Sequence, residues 1–170
     1  APVRIIRSGA QQGKGSFNFT SLVKAYLGRY QPAHVSPQTN EILASVKKLD
    51  ANDYKRIKEF AEDFVDIFAY PTSENPYSKM GPISAIAKVW FCNVGRFGRD
   101  EVFKRFKSKI YGDALVRQKS VDAGRSVMHV KELTEFMVSV ANRQYSNPDR
   151  MFVTPAELQA ALATRKGNGP

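Results

Sequence analysis

The chain has very few of the residues that build disulfides and metal centres. Among 170 residues there is one cysteine, Cys92, and there are two histidines, His34 and His129. A single cysteine excludes an intramolecular disulfide and a multi-cysteine zinc site. Two isolated imidazoles supply no cluster at metal-ligand spacing. We therefore expect neither a metal nor a cofactor.

Long apolar runs are also missing. No stretch of about 18 consecutive apolar residues occurs, so the sequence predicts no transmembrane helix. The segment from Ala1 to Arg7 lacks the apolar region of a signal peptide. These two features favour a cytoplasmic or intracellular location.

Acidic residues are scarce in two parts of the chain. Lysine and arginine number 26 against 16 aspartate and glutamate residues, which gives a formal net charge of +10. Residues 1–30 hold five basic and no acidic residues, and residues 76–130 hold eleven basic and four acidic residues. Residues 31–75, by contrast, hold eight acidic and five basic residues. This charge attracts polyanions such as nucleic acid or an anionic membrane, although a basic protein without such a partner is an alternative.

Helical periodicity and helix caps are abundant. Asp50 precedes an apolar repeat of period 3.6, and Thr154 to Glu157 has the capping-box pattern. The sequence predicts an all-α protein with a flexible basic arm (1–16), a single helical domain (17–166) and a flexible tail (167–170). It also predicts no sheet of more than two short strands. The expected helices cover about 18–30, 37–49, 51–70, 82–95, 100–111, 113–123, 126–145 and 155–166.

Catalytic signatures are weak. Gly9 is followed by Gly13-Lys14-Gly15-Ser16, but the spacing is one residue short of a phosphate loop. Glycine also follows Lys14 where serine or threonine would hold magnesium. Cys92 sits among apolar residues, which is typical of a buried, inert thiol. We therefore expect no enzyme and no nucleotide hydrolysis.

An acidic stripe lies on the predicted helix 51–70. Its members fall between the apolar positions, so we expect an outward, solvated face. In a self-assembling protein the stripe has an alternative role, which is to meet a basic surface or arm of the next copy. The stripe consists of Glu59, Glu62, Asp63 and Asp66.

The basic segment is the main candidate site. A row of cations is what phosphate binding requires, and it needs no geometric code. An ordinary charged outer face is the alternative. We prefer the arginines at 96, 99, 117 and 125, because guanidinium groups match phosphate geometry and can also stack on bases. Phe97 and Tyr111 are alternative surfaces for base stacking, although we expect both to be buried in the core. The candidate nucleic-acid-binding residues are Arg96, Arg99, Lys104, Arg105, Lys107, Lys109, Arg117, Lys119 and Arg125.

This layout of arm, helical body and basic segment (96–125) resembles the coat or nucleocapsid proteins of filamentous single-stranded RNA viruses. The resemblance is one of overall layout, and no residue role is carried over from it. It implies a virion protein that coats single-stranded RNA and forms a homo-oligomer through its terminal arm. Within the arm, Val3, Ile5 and Ile6 are the residues expected to dock on a neighbour. The alternative is a basic matrix-type protein that binds anionic membrane surfaces.

Overall fold

A computed structural model describes residues 4–6, 16–31, 44 and 46–167. Within these residues the prediction of an all-α protein with seven or eight helices is confirmed. The predicted helix over 37–49 lies largely outside the described residues. A π-helix, Phe106–Ile110, directly follows the α-helix Arg99–Arg105. The α-helices are α1 (Phe19–Leu27), α2 (Ala51–Phe68), α3 (Met80–Phe97), α4 (Arg99–Arg105), α5 (Ala114–Arg125), α6 (Val130–Asn142) and α7 (Pro155–Gly167).

Two short strands precede α1. Strand β1 (Arg4–Ile6) pairs in parallel with β2 (Ser16–Asn18), and Ile5 lies opposite Phe17. Phe17 is buried and its ring packs edge-on against Phe64 of α2. The prediction of no sheet beyond two short strands is confirmed for the described residues. The remaining residues of the predicted basic arm, 1–3 and 7–15, lie outside them.

Local capping sets most helix starts. Asp50 accepts a hydrogen bond from the Asp53 backbone N–H while the Asp53 side chain accepts from the Asp50 N–H, which forms a reciprocal capping box. Thr154 and Glu157 form the predicted box at the start of α7. Each arrangement satisfies backbone N–H groups that a helix leaves without partners in its first turn. The predicted starts of α2 and α7 are therefore correct.

The end of α3 differs from the prediction. We expected Gly95 to close this helix, but the helix continues to Phe97 and ends at Gly98. Gly98 has φ of 84°, a left-handed conformation that glycine adopts without steric cost. Gly98 also precedes α4, so a single glycine separates the two helices.

Helix α3 is the centre of the protein. It packs against every other α-helix of the described fold: α1, α2, α4, α5, α6 and α7. Trp90 and Phe91 of α3 contact the ring of Phe60 on α2, and these rings form the middle of the core. A side chain at Gly81 would place its Cβ 2.5 Å from the Ala123 carbonyl oxygen, so α3 approaches α5 closely at this point. No helix among the described residues combines the length and apolarity needed to cross a bilayer.

Candidate nucleic-acid interface

The nine predicted contact residues divide into two groups by their surroundings. Four have a carboxylate within ion-pair distance: Arg96, Arg99, Arg105 and Lys119. Among the described residues the other five have no ion-pair partner, and all five are exposed. We refer to this second group as the basic surface. It consists of Lys104, Lys107, Lys109, Arg117 and Arg125.

Arg99 binds the acidic stripe of α2. Its Nη2 lies 2.9 Å from Asp63 Oδ1 and 3.7 Å from Glu62 Oε1, and its Nη1 lies 3.4 Å from Glu59 Oε2. The expectation that the whole stripe faces solvent is wrong, because Asp63 is 3% exposed. Trp90 Nε1 also donates to Asp63, at 3.1 Å. Burial raises the pKa of Asp63, while the bonds from Arg99 and Trp90 act in the opposite direction.

Arg105 is inside the protein. It is 3% exposed, and its guanidinium lies 4.3 Å from the Tyr145 ring centroid and 4.7 Å from that of Phe97. Its Nε donates to Glu101 at 3.0 Å, and its Nη1 donates to the carbonyl of Arg150 at 2.6 Å. These contacts satisfy a charge that would otherwise be costly to bury. Arg105 therefore fastens α4 to the segment that precedes α7.

Arg96 and Lys119 have partners at the protein surface. Arg96 donates to the carbonyl oxygens of Pro148 and Met151, at 3.0 and 3.3 Å. Lys119 lies 2.5 Å from Glu132, which links α5 to α6. This contact is the first cause of the lowered pKa of the exposed Glu132. Both cations hold elements together, and their charge is partly or wholly compensated.

The basic surface has little negative charge within its own stretch of chain. Between residues 102 and 125 the only acidic residues are Asp113 and Asp122. Asp113 accepts from the backbone N–H groups of Leu115 and Val116 at the start of α5. Asp122 accepts from Gln118 at 3.1 Å. Both carboxylates thus accept hydrogen bonds from groups of α5 and form no ion pair with the basic surface. The five cations therefore remain available to an external anion.

A groove of about 290 Å³ opens beside the π-helix. The groove is lined by Lys109, Gly112 and Arg143, and Arg143 directly follows the last residue of α6. Arg143 donates to Asp113 Oδ2 at 3.2 Å, so its charge is shared with that carboxylate. Arg143 was not predicted from the sequence, because it sits in a region of balanced charge and carries no local signal. The fold alone brings it to Lys109.

Tyr111 adjoins the basic surface and is 46% exposed. The expectation that this ring is buried is wrong, whereas Phe97 is partly buried against Phe152. The Tyr111 ring packs edge-on against Phe68 of α2, with centroids 5.7 Å apart, and lies 5.9 Å from Tyr77. Burial raises the pKa of Tyr77, and the positive charge of the nearby Arg117 acts in the opposite direction. An exposed aromatic ring thus lies among exposed cations.

The remaining reactive groups are buried away from this surface. Cys92 is buried as expected, and burial raises the pKa of its thiol to about 12. Lys88, one turn earlier on α3, is also buried, and burial lowers its pKa to about 8. The described residues contain no group of three or more side chains suited to a metal ion.

Comparison with family models, with curated proteins and with solved structures finds no match to this chain.

Proposed function

We propose that this protein binds the phosphate backbone of single-stranded nucleic acid, and specifically RNA, through its basic surface. The observation that supports the proposal is the absence of carboxylate partners for five exposed cations, among the described residues. An anion that binds to a cation already paired with a carboxylate must displace that carboxylate. A cation without such a partner loses only water and mobile counterions, whose release favours binding.

The four ion-paired residues are left out of the proposed contact set for this reason. Arg105 has almost no exposed surface, and Arg99 is held by several carboxylates of α2. Arg96 and Lys119 each hold two elements together. The proposed contacts are thus Lys104, Lys107, Lys109, Arg117 and Arg125.

The resemblance to viral coat or nucleocapsid proteins extends this proposal. In that role the protein coats RNA with little sequence preference and self-assembles through the arm over 1–16. Deletion of residues 1–16 is expected to leave the helical body folded but to reduce the oligomer, as measured by light scattering. Identical assembly of the full-length and shortened proteins would remove the arm from the assembly interface.

We also propose that the protein acts by binding alone and has no intrinsic nucleotide hydrolysis. The glycine-rich segment around Lys14 has neither the spacing nor the magnesium ligand of a phosphate loop. A phosphate-release assay is expected to show no turnover. Turnover that Lys14→Ala abolishes would contradict this part of the proposal.

Fluorescence anisotropy with a labelled oligoribonucleotide across a salt series tests the main proposal. The logarithm of the affinity is expected to fall linearly with the logarithm of the salt concentration. Replacing all five residues of the basic surface by glutamine should lower the slope by about 0.7 for each phosphate that the variant no longer neutralises. A folded five-residue variant with an unchanged slope would exclude the basic surface as the binding site.

The alternative of an anionic membrane surface has one observation in its favour. Val127 and Met128 are 72% and 83% exposed and directly follow Arg125 and Ser126. Exposed apolar side chains beside a cation suit the boundary between lipid headgroups and acyl chains. Sedimentation with anionic vesicles tests this function. Vesicle binding that Val127→Ser with Met128→Ser abolishes, without binding to RNA, would replace the main proposal.

A further inference from the structure

Tyr111 lies directly after the π-helix and its side chain is about half exposed. Its backbone N–H donates to the Phe106 carbonyl at 2.8 Å, which closes the last turn of the π-helix. Gly112 follows it and has no side chain to cover the ring. The end of the π-helix therefore presents the Tyr111 ring at the protein surface.

The inner side of the Tyr111 ring is fixed by other aromatic rings. Phe68 is buried and meets it nearly at a right angle, 80° between ring planes. Tyr77 is also buried and lies at 51° to it. Contact with two buried rings restricts rotation of Tyr111, so a ligand that covers the ring has little side-chain entropy to overcome.

Two cations of the basic surface belong to elements next to this ring. Lys109 precedes it by two residues and lines the groove shared with Arg143. Arg117 belongs to α5, which packs against the 3-10 turn Pro76–Ser78 that carries Tyr77. A polyanion that binds both Lys109 and Arg117 is therefore expected to come close to Tyr111.

We propose that Tyr111 is a stacking platform for an unpaired base of the bound strand. This inference rests on the proposed function and names the ligand class more narrowly, as a single strand whose bases are accessible. Aromatic stacking is sequence-tolerant because every base has a π-face. A duplex, whose bases are stacked on each other, and a chain of phosphates without bases both lack this interaction.

The test compares an oligouridine with an abasic strand of the same length, which carries the same phosphates without bases. The variant Tyr111→Leu keeps apolar packing against Phe68 but removes the ring. Its affinity for oligouridine is expected to fall by about five- to a hundredfold. Its affinity for the abasic strand should be unchanged, and Tyr111→Phe should bind both strands as the wild type does.

Tyr54 offers a matched control. It is 40% exposed and stacks on Phe19 near the start of α2, whereas Tyr111 contacts Phe68 at the end of the same helix. At 1.5 Å per residue the two sites lie about 20 Å apart along α2. Tyr54→Leu is expected to leave both affinities unchanged.

A second readout is independent of affinity. In Tyr111→Trp, oligouridine is expected to quench the fluorescence of the new indole, whereas the abasic strand is not. The native Trp90 is buried, so its fluorescence is shielded from the ligand. An equal loss of affinity for both strands in Tyr111→Leu, or the absence of base-dependent quenching, would overturn the stacking inference. After either result, the proposed function would still stand if the wild type bound both strands with a steep salt dependence. Failure of the wild type to bind either strand would reject the proposed function itself.

Discussion

Two groups of cations close together in sequence have different surroundings. Arg99 and Arg105 belong to α4, and both point toward carboxylates or aromatic rings of the same protein. Lys107, Lys109 and Arg117 follow Arg105 within twelve residues and are exposed without a carboxylate partner among the described residues. The comparison shows that the number of basic residues in a segment overstates the charge available to a ligand. Substitutions in the first group should lower the stability of the protein, and those in the second should lower its affinity for RNA.

The largest effect on stability is expected at Arg105. Arg105→Ala removes the cation between Phe97 and Tyr145 and leaves the Arg150 carbonyl without its donor. Loss of this buried side chain leaves a cavity and breaks a buried hydrogen bond, which should lower the free energy of unfolding by about 3 kcal/mol. Urea denaturation measures this change. Lys104→Ala, an exposed neighbour on the same helix, should change it by less than about 0.5 kcal/mol, and equal effects of the two substitutions would contradict the division into two groups.

A smaller loss, about 2 kcal/mol, is expected for Arg99→Met, because Asp63 then remains buried without its guanidinium partner. The effect should depend on pH. Burial raises the pKa of Asp63 above its ordinary value of 3.8, and removal of Arg99 raises it further. A raised pKa in the folded state stabilises the protein at low pH, and that stability is lost as the pH rises through this pKa. The difference in the free energy of unfolding between the wild type and Arg99→Met should therefore narrow as the pH falls.

Thermal unfolding over a pH series measures the difference in stability between the wild type and Arg99→Met. Asp63→Asn in the Arg99→Met background removes the titrating carboxyl and is the matched control. With this control in place, the difference should no longer narrow as the pH falls. Persistent narrowing would show that another group is responsible.

The smallest expected effect concerns Tyr26, whose hydroxyl donates to Asp53 at 2.5 Å. This bond is the first cause of the lowered pKa of Asp53. Tyr26→Phe should cost about 1 kcal/mol of stability at neutral pH. A lowered pKa stabilises the folded protein above 3.8, and the contribution is lost as the pH falls through the folded pKa. Unfolding measured over an acid pH series should show that Tyr26→Phe loses its destabilising effect only below pH 3.8. If the variant became as stable as the wild type well above pH 3.8, this role of Asp53 would be contradicted.

Features that depend on neighbouring residues are predictable from the sequence. Asp50 and Thr154 are recognisable as caps because the groups they bond lie within three residues. The predicted end of α3 at Gly95 is wrong because a glycine can cap a helix or simply lie within it. Only the backbone conformation, with positive φ at Gly98, separates these cases.

The candidate site is only partly predictable, because burial depends on the packing of distant elements. The periodicity of α2 places Asp63 on a solvated face, yet Arg99 and Trp90 come from helices remote in sequence and enclose it. Arg105 lies three residues after the buried Val102 and next to the buried Phe106, so its position on the apolar face is a usable signal. The groove residue Arg143 has no such signal.

We expect the location of the charges, rather than their number, to determine the proposed binding to RNA. Two charge-matched variants test it directly, each with five cations replaced by glutamine. One removes the basic surface. The other removes five exposed lysines on other parts of the chain, namely Lys47, Lys48, Lys55, Lys58 and Lys131.

Both variants change the net charge from +10 to +5. The decisive measurement is the affinity of each variant for the same labelled oligoribonucleotide at one salt concentration. Loss of the basic surface is expected to weaken binding by at least about tenfold more than loss of the five other lysines, which corresponds to about 1.4 kcal/mol. Equal weakening in two folded variants would mean that net charge alone attracts the nucleic acid, and it would contradict the assignment of a binding surface to α4, the π-helix and α5.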